Sequence, residues 1–257
     1  MPTISMLSVS LQTGSLALGY RLTWNVGVYP EVLLRNDTQF IRSLAYGLVV
    51  TLVCLAIAYP LAYTIAFRGG RWKNALLFLV ILPFFVSFVI RTLSWKVVLA
   101  DNGLFLGALK NVGLVEEGFR VLATPIAVIG GLIYNFLPFM ALPLYVSLEK
   151  MDKSLLDAAG DLYSSRFTAF MRVTFPLSLP GVFAGSLLTF IPAVGDFINA
   201  ELLGGPSTTM IGNVVQREYL VNNDYPEAAA LSFILMFGIL VAVSLYARLL
   251  GTEELTG

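Results

Sequence analysis

Apolar and polar residues alternate along this chain in long blocks. Residues 44–67, LAYGLVVTLVCLAIAYPLAYTIAF, carry no charge and are long enough to cross a hydrocarbon core of roughly 30 Å. Similar blocks run over about 75–99, 122–148, 177–203 and 228–250, so the pattern predicts five membrane spans. One long interruption stands apart. Residues 149–181 hold Glu149, Asp152, Asp157 and Asp161 beside Lys150, Lys153, Arg166 and Arg172. Leu155, Ala158, Ala159 and Leu162 recur there at spacings of three and four, which puts them on one face of a helix. That helix must sit in water at one membrane face. Its small residues would let a second protein's backbone come close.

The short linker after the first block contains Arg68, Arg71 and Lys73, and the positive-inside rule places it in the cytoplasm. Alternation then puts 100–121 outside, 149–176 inside, 204–227 outside and the tail 251–257 inside. The two outer loops are mildly acidic: Asp101, Glu116, Glu117, Glu218, Asp224 and Glu227 stand against Lys110, Arg120 and Arg217. The same count leaves residues 1–43 as an external segment, with a further span expected ahead of them; the alternative is that 4–20 inserts partway as a short helix.

Composition narrows the chemistry. The chain is 57% apolar and 12% charged, about half the charged fraction of a soluble domain. The net charge is zero, which gives no footing for a nucleic-acid partner. Cys54 is the single cysteine and there is no histidine, so intrachain disulfides, imidazole metal sites and histidine-based catalytic triads are all excluded. No GxxxxGK[ST] loop occurs, so any ATP chemistry belongs to another chain. The expectation is an all-α, polytopic transmembrane helix bundle that is not an enzyme and holds no cofactor of its own.

Charges inside spans need a reason, because each costs about 2.5–3.5 kcal/mol at the bilayer centre on insertion scales. Arg91 lies sixteen residues along the second block and Asp196 nineteen along the fourth, depths that agree to within a helical turn. The two could pair, or both could face a wet cavity. Lys96 and Glu201 lie nearer the outer ends, within snorkelling reach of water. The fourth block contains Pro180, Pro192 and Gly195 and ends at Gly204-Gly205-Pro206, which favours a pore-lining helix. Tyr134 and Asn135 precede Pro138 and Pro143 in the third, a pattern that suits either a substrate lining or plain helix packing. The substrate-path candidates are therefore Asp196, Glu201, Tyr134, Asn135, Phe197 and Arg91.

Asp157-Ala158-Ala159, Tyr163, Val173 and Pro176 reproduce the spacing of an EAA loop: Glu-Ala-Ala, a Gly four residues on, an apolar residue ten further, and Pro three after that. The chain thereby resembles an inner-membrane permease of an ATP-binding-cassette importer. That resemblance implies a type I importer fold in which Asp157, Ala158, Ala159, Leu162, Tyr163, Val173 and Pro176 form short cytoplasmic helices coupling to an ATPase. Asp157 shortens the usual glutamate. Tyr163 replaces a glycine that permits a left-handed turn, a conformation costing a Cβ-bearing residue roughly 1–2 kcal/mol. Residues 131–162 and IPAVGDFINAELLGG, 191–205, further resemble the first permease subunit of spermidine/putrescine importers. This implies a polyamine substrate, a heterodimer with a second permease, two ATPase subunits that hold ATP and magnesium, an external binding protein, and a bacterial inner-membrane location. The rival readings are a permease for a small anion, using Arg91 and Lys96, or for a sugar, and a stand-alone secondary transporter, which would need a repeat that the sequence does not display.

Overall fold

The computed structural model describes residues 2–116, 118–152, 154–155 and 165–249. In chain order these form α1 (Pro2–Ser10), β1 (Gln12–Ser15), β2 (Gly19–Leu22), α2 (Val28–Arg35), α3 (Asp37–Tyr63), α4 (Lys73–Ile81), α5 (Phe88–Val98), α6 (Leu104–Asn111), α7 (Pro125–Glu149), α8 (Arg166–Ala169), α9 (Phe175–Gly195), α10 (Ile198–Leu203), α11 (Ile211–Leu220) and α12 (Tyr225–Leu249). Among the described residues, four continuous helical stretches are long and apolar enough to cross a membrane: Asp37–Arg68, Pro125–Glu149, Phe167–Gly195 and Tyr225–Arg248.

The second expected span, 75–99, is two pieces. Gly70–Phe85 and Phe88–Val98 meet at 92°. Pro83 supplies no N–H, so the ladder tightens into a 3-10 turn over Leu82–Phe85, and Val86 and Ser87 then turn extended, each with ψ 136°. The first span begins at Asp37 rather than 44. Asp37 and Arg42 lower its hydropathy, but Phe40, Ser43, Gly47, Val50, Cys54, Ala58 and Ala62 make one buried stripe at helical spacing. The fourth block, 177–203, is broken at its glycine and not at its prolines: α9 runs through Pro180 and Pro192 and ends at Gly195, and α10 follows the extended Asp196.

The core lies where α3, α7 and α9 meet. Val50, Cys54, Ala58 and Ala62 of α3 pack with Leu132, Met140, Leu144 and Leu148 of α7 and Val182 of α9. Half of the most apolar window of α7 is buried, against 22% for α12, so α7 is the central post and α12 a peripheral one. Backbone approach between α9 and α7 is close. A Cβ on Gly181 would stand 2.5 Å from the Ser147 Cβ, and one on Gly185 2.8 Å from the Met140 sulfur. This small-xxx-small pairing replaces the hydrophobic drive that lipid removes.

Residues 4–20 do not form one inserted helix. The nine-residue α1 is followed by an antiparallel hairpin that turns at Gly19, φ +78°. The hairpin leans on the start of α12: the Tyr20 hydroxyl donates to the Asn223 carbonyl, and its ring centroid is 5.4 Å from that of Tyr225. Charges pair at both ends of the bundle. Lys73 binds Glu149 at one end, which puts the basic linker and the end of α7 side by side. Arg35 binds Glu227 at the other, and Arg120 reaches Asp101 at 3.1 Å.

Candidate functional site

The two breaks in the spans come together. Asp196 sits at the break between α9 and α10 with ψ 131°, and α10 packs on α5, beyond the break at Val86–Ser87. Where the helices part, side chains satisfy one another across them. The Asn135 amide of α7 donates to Thr92 Oγ1 of α5 and to Asn199 Oδ1 of α10, both at 3.1 Å, and the Thr92 hydroxyl lies 3.3 Å from the same Asn199 oxygen. Asn199 in turn donates its backbone N–H, at 2.7 Å, and its side-chain amide, at 3.2 Å, to Asp196 Oδ1. Asn135, Thr92 and Asn199 are fully buried and Asp196 nearly so. The result is a polar seam through three spans. It is rich in acceptors, and Asn135 Oδ1 has no partner within it.

Arg91 and Asp196, matched by depth in the sequence, form no ion pair. Asp196 is held by Asn199. The Arg91 guanidinium stands 5.7 Å from the Phe88 ring centroid and 6.0 Å from that of Tyr134, and its Nε and Nη1 are buried without an acceptor. Tyr134 is 37% exposed and meets Trp95 edge-on at 5.5 Å. Phe197, also 37% exposed, lends its carbonyl to the Asn213 amide at 3.0 Å. Glu201 is exposed at the outer side of α10, and the same Asn213 amide donates to its Oε2 at 3.2 Å. Asp196 and Asn135 thus join one network, Glu201 and Phe197 share Asn213, and Arg91 and Tyr134 form a separate cation–aromatic contact. Thr92, Asn199 and Asn213 escape a scan for intramembrane charge because they carry none. The signal for Asn199 was an amide one helical turn after Asp196 in an otherwise apolar run.

Of the coupling residues, Asp157, Ala158, Ala159, Leu162 and Tyr163 lie outside the described residues. Val173 is half-buried in a π turn, Phe170–Thr174, and Pro176 opens α9 on an exposed face. This π turn is tied to α3 by aromatic rings that sequence reasoning did not single out. Phe170 meets Tyr59 edge-on at 5.4 Å and Tyr63 at 6.5 Å, and the Tyr59 hydroxyl shares a 2.7 Å hydrogen bond with Ser178 of α9. In the loop before it, bonds from Ser154 hold the exposed Asp152 carboxyl below the usual carboxylate range.

Residues 56–250 match the family described as the inner membrane component of binding-protein-dependent transport systems. The chain is 37% identical over 248 residues to a Haemophilus influenzae protein named as the spermidine/putrescine transport system permease protein PotB, covering 96% of this chain and 87% of that one. The Escherichia coli protein of the same name is 36% identical over 248 residues, covering 95% and 90%. Among solved structures, a bacterial ABC transporter that imports the acidic polysaccharide alginate superposes with a TM-score of 0.73 at 20% identity, over 98% of this chain and 89% of that one. The bacterial alginate transporter in complex with its pentasaccharide-bound periplasmic protein gives 0.65 at 22% identity, over 85% and 80%.

Proposed function

The chain belongs to the family of inner-membrane components of binding-protein-dependent transport systems, and on that premise we propose that it is the permease subunit of an ATP-driven importer for linear polyamines such as spermidine and putrescine. The observation that carries the substrate is the near-full-length similarity to two spermidine/putrescine permeases. The seam of Asn135, Asn199 and Asp196 agrees with it, because amide oxygens and a carboxylate can replace the hydration of an ammonium group.

The subunit does no covalent chemistry. It pairs with a second permease, and two cytoplasmic ATPase subunits supply ATP and magnesium. ATP closes the ATPase dimer, the coupling segment that contains Asp157–Tyr163 is carried with it, and the bundle turns outward to receive substrate from an external binding protein docked on 100–121 and 204–227. Hydrolysis resets it. The α9 end is the mechanical link, since the π turn at Phe170–Thr174 is packed against Tyr59 and Tyr63 of α3. The C-terminal tail lies in the cytoplasm in this arrangement.

One observation favours a different cargo: the unpartnered Arg91 guanidinium would suit an anion. Uptake into proteoliposomes bearing the assembled importer decides between them. ATP-dependent accumulation of labelled spermidine, not displaced by sulfate, is expected. Sulfate uptake with no response to polyamines overturns the reading. Replacing Asp157 by Lys is expected to release the ATPase in a pull-down; retention of the ATPase removes Asp157 from the coupling set.

A further inference from the structure

At the end of the bundle away from the Lys73–Glu149 pair is a polar cavity of about 510 Å³, within the roughly 300–1,000 Å³ of small-molecule sites. Asn36 and Gln39 from the start of α3, Glu201 from α10, and Asn213, Arg217 and Glu218 from α11 line it. Its hydrogen-bonding capacity is already partly used. The Asn213 amide donates to Glu201 Oε2 at 3.2 Å and to the Phe197 carbonyl, while its Oδ1 accepts from the Met210 N–H at 3.1 Å. Asn213 is 4% exposed, so it fixes one oxygen of Glu201 from behind and leaves Oε1. Asn222 donates to Glu218 Oε2 at 2.7 Å, which leaves the other carboxylate oxygen. Asn36 spends its amide on the Val32 carbonyl at 2.9 Å and has Oδ1 left to offer. Among the described residues no ion pair within 4.0 Å reaches Glu201, Glu218 or Arg217.

What remains carries an excess of negative charge: two carboxylate oxygens and the Asn36 amide oxygen, beside the Gln39 amide and one guanidinium on an exposed wall. An anion would meet two like charges here. A primary ammonium brings three donors, no acceptor and the opposite charge. We propose that this cavity is a receiving site for an alkylammonium group at the mouth of the permease, with Glu201 and Glu218 as its ligands and Asn213 as the residue that positions Glu201. The identity of the amine as transported polyamine rests on the function proposed above; the ammonium chemistry rests on the cavity alone. The site also leads somewhere. Glu201 shares the six-residue α10 with Asn199 of the seam, and Asn213 bonds the carbonyl of the residue next to Asp196. Five residues along the chain separate Glu201 from Asp196, which stands in the extended break just before α10. The two carboxylates a linear diamine would meet thus belong to one short segment of chain, α10 and the break before it.

The ammonium can come from two sources: the free amine, or a lysine side chain of the docked binding protein. The test uses the assembled importer in lipid nanodiscs, titrated with n-butylamine and with spermidine, and separately with amine-free binding protein. Glu201→Gln and Glu218→Gln are each expected to weaken amine binding about tenfold, the scale of one charge-assisted hydrogen bond, while Arg217→Gln tightens it. Unchanged amine affinity together with weaker docking in both glutamine variants assigns the ammonium to the binding protein and keeps the site. Unchanged affinity in both titrations, with wild-type unfolding temperatures, overturns it. If Glu201→Gln fails to fold, Glu218→Gln carries the same test. A wild-type complex that imports no polyamine refutes the proposed function instead, and the butylamine titration still reports on the cavity.

Discussion

Asn199→Ala strips the polar seam of its central side chain, and the cost can be worked from the contacts. The residue is fully buried. Its Oδ1 serves Asn135 at 3.1 Å and Thr92 at 3.3 Å, and its amide serves Asp196 at 3.2 Å. Interhelical hydrogen bonds in membranes average about 0.6 kcal/mol, so the first two together contribute about 1 kcal/mol. The bond to the carboxyl group adds about 1–3 kcal/mol, according to how much charge Asp196 carries. The backbone N–H of residue 199 still holds Asp196 Oδ1, so the carboxyl is not left bare. The expected loss is about 2–4 kcal/mol, measured by steric trapping of the subunit in bicelles. Asn135→Ala should lose less, and the pair in a double-mutant cycle should couple by about 0.6–1.7 kcal/mol. A single variant within about 0.5 kcal/mol of wild type, or a coupling of zero, would show that the seam does not join these spans.

Gly185→Leu drives a branched side chain into the Met140 sulfur and backbone, and should cost at least about 1–3 kcal/mol, read as lost folded yield in detergent. Tyr59→Phe removes only the hydroxyl bonded to Ser178 and should cost about 0.5–1.5 kcal/mol by the same unfolding assay, with the ring contacts kept. Phe170→Ala removes the ring that joins the π turn to Tyr59 and Tyr63; ATP hydrolysis by the assembled importer should persist while uptake falls, and parallel loss of both would contradict a transmitting role. Asp152 has its folded pKa depressed, so its contribution to the turn is present above about pH 4 and is lost as pH falls through the lower folded value; a fall in the Ser154 amide protection factor, with exchange corrected for its intrinsic pH dependence, is the readout.

The long spans were legible because lipid imposes a single strong rule, and residues 125–149 and 225–249 fall within a few positions of the apolar blocks that marked them. Hydropathy averages over faces, and the departures follow from that. It placed the start of α3 too late, since a buried stripe through Phe40 and Ser43 coexists with Asp37 and Arg42 on the other sides. It also could not distinguish a proline that bends a helix from one that ends it. Pro180 and Pro192 sit inside α9, whereas Pro83 is the second residue of the 3-10 turn Leu82–Phe85 in which its helix ends. For the site, searching for intramembrane charge found Asp196 and Arg91 but assumed that charges answer charges. In the structure the carboxyl is answered by an amide from its own turn, and the guanidinium by aromatic faces.

That division separates two kinds of packing within the bundle. Where the helical ladder is unbroken, between α3, α7 and α9, contact is apolar and close, and the inward hydroxyls of Thr51 and Ser178 find carbonyls within a turn, leaving Thr189 without a partner. Around the broken span the balance changes. Arg91 keeps two nitrogens, and Asn135 one oxygen, buried without partners. A buried guanidinium cannot escape by losing its proton, and each unmet polar atom in a dry interior costs about 1–3 kcal/mol. Such deficits are stable only where the neighbouring contacts over-determine the fold, and here those contacts are the seam itself: Thr92 is anchored to Asn135 and Asn199 one residue away from Arg91. The unbroken helices therefore hold the shape, while the broken ones keep donors and acceptors in reserve, free to be engaged if the span rearranges.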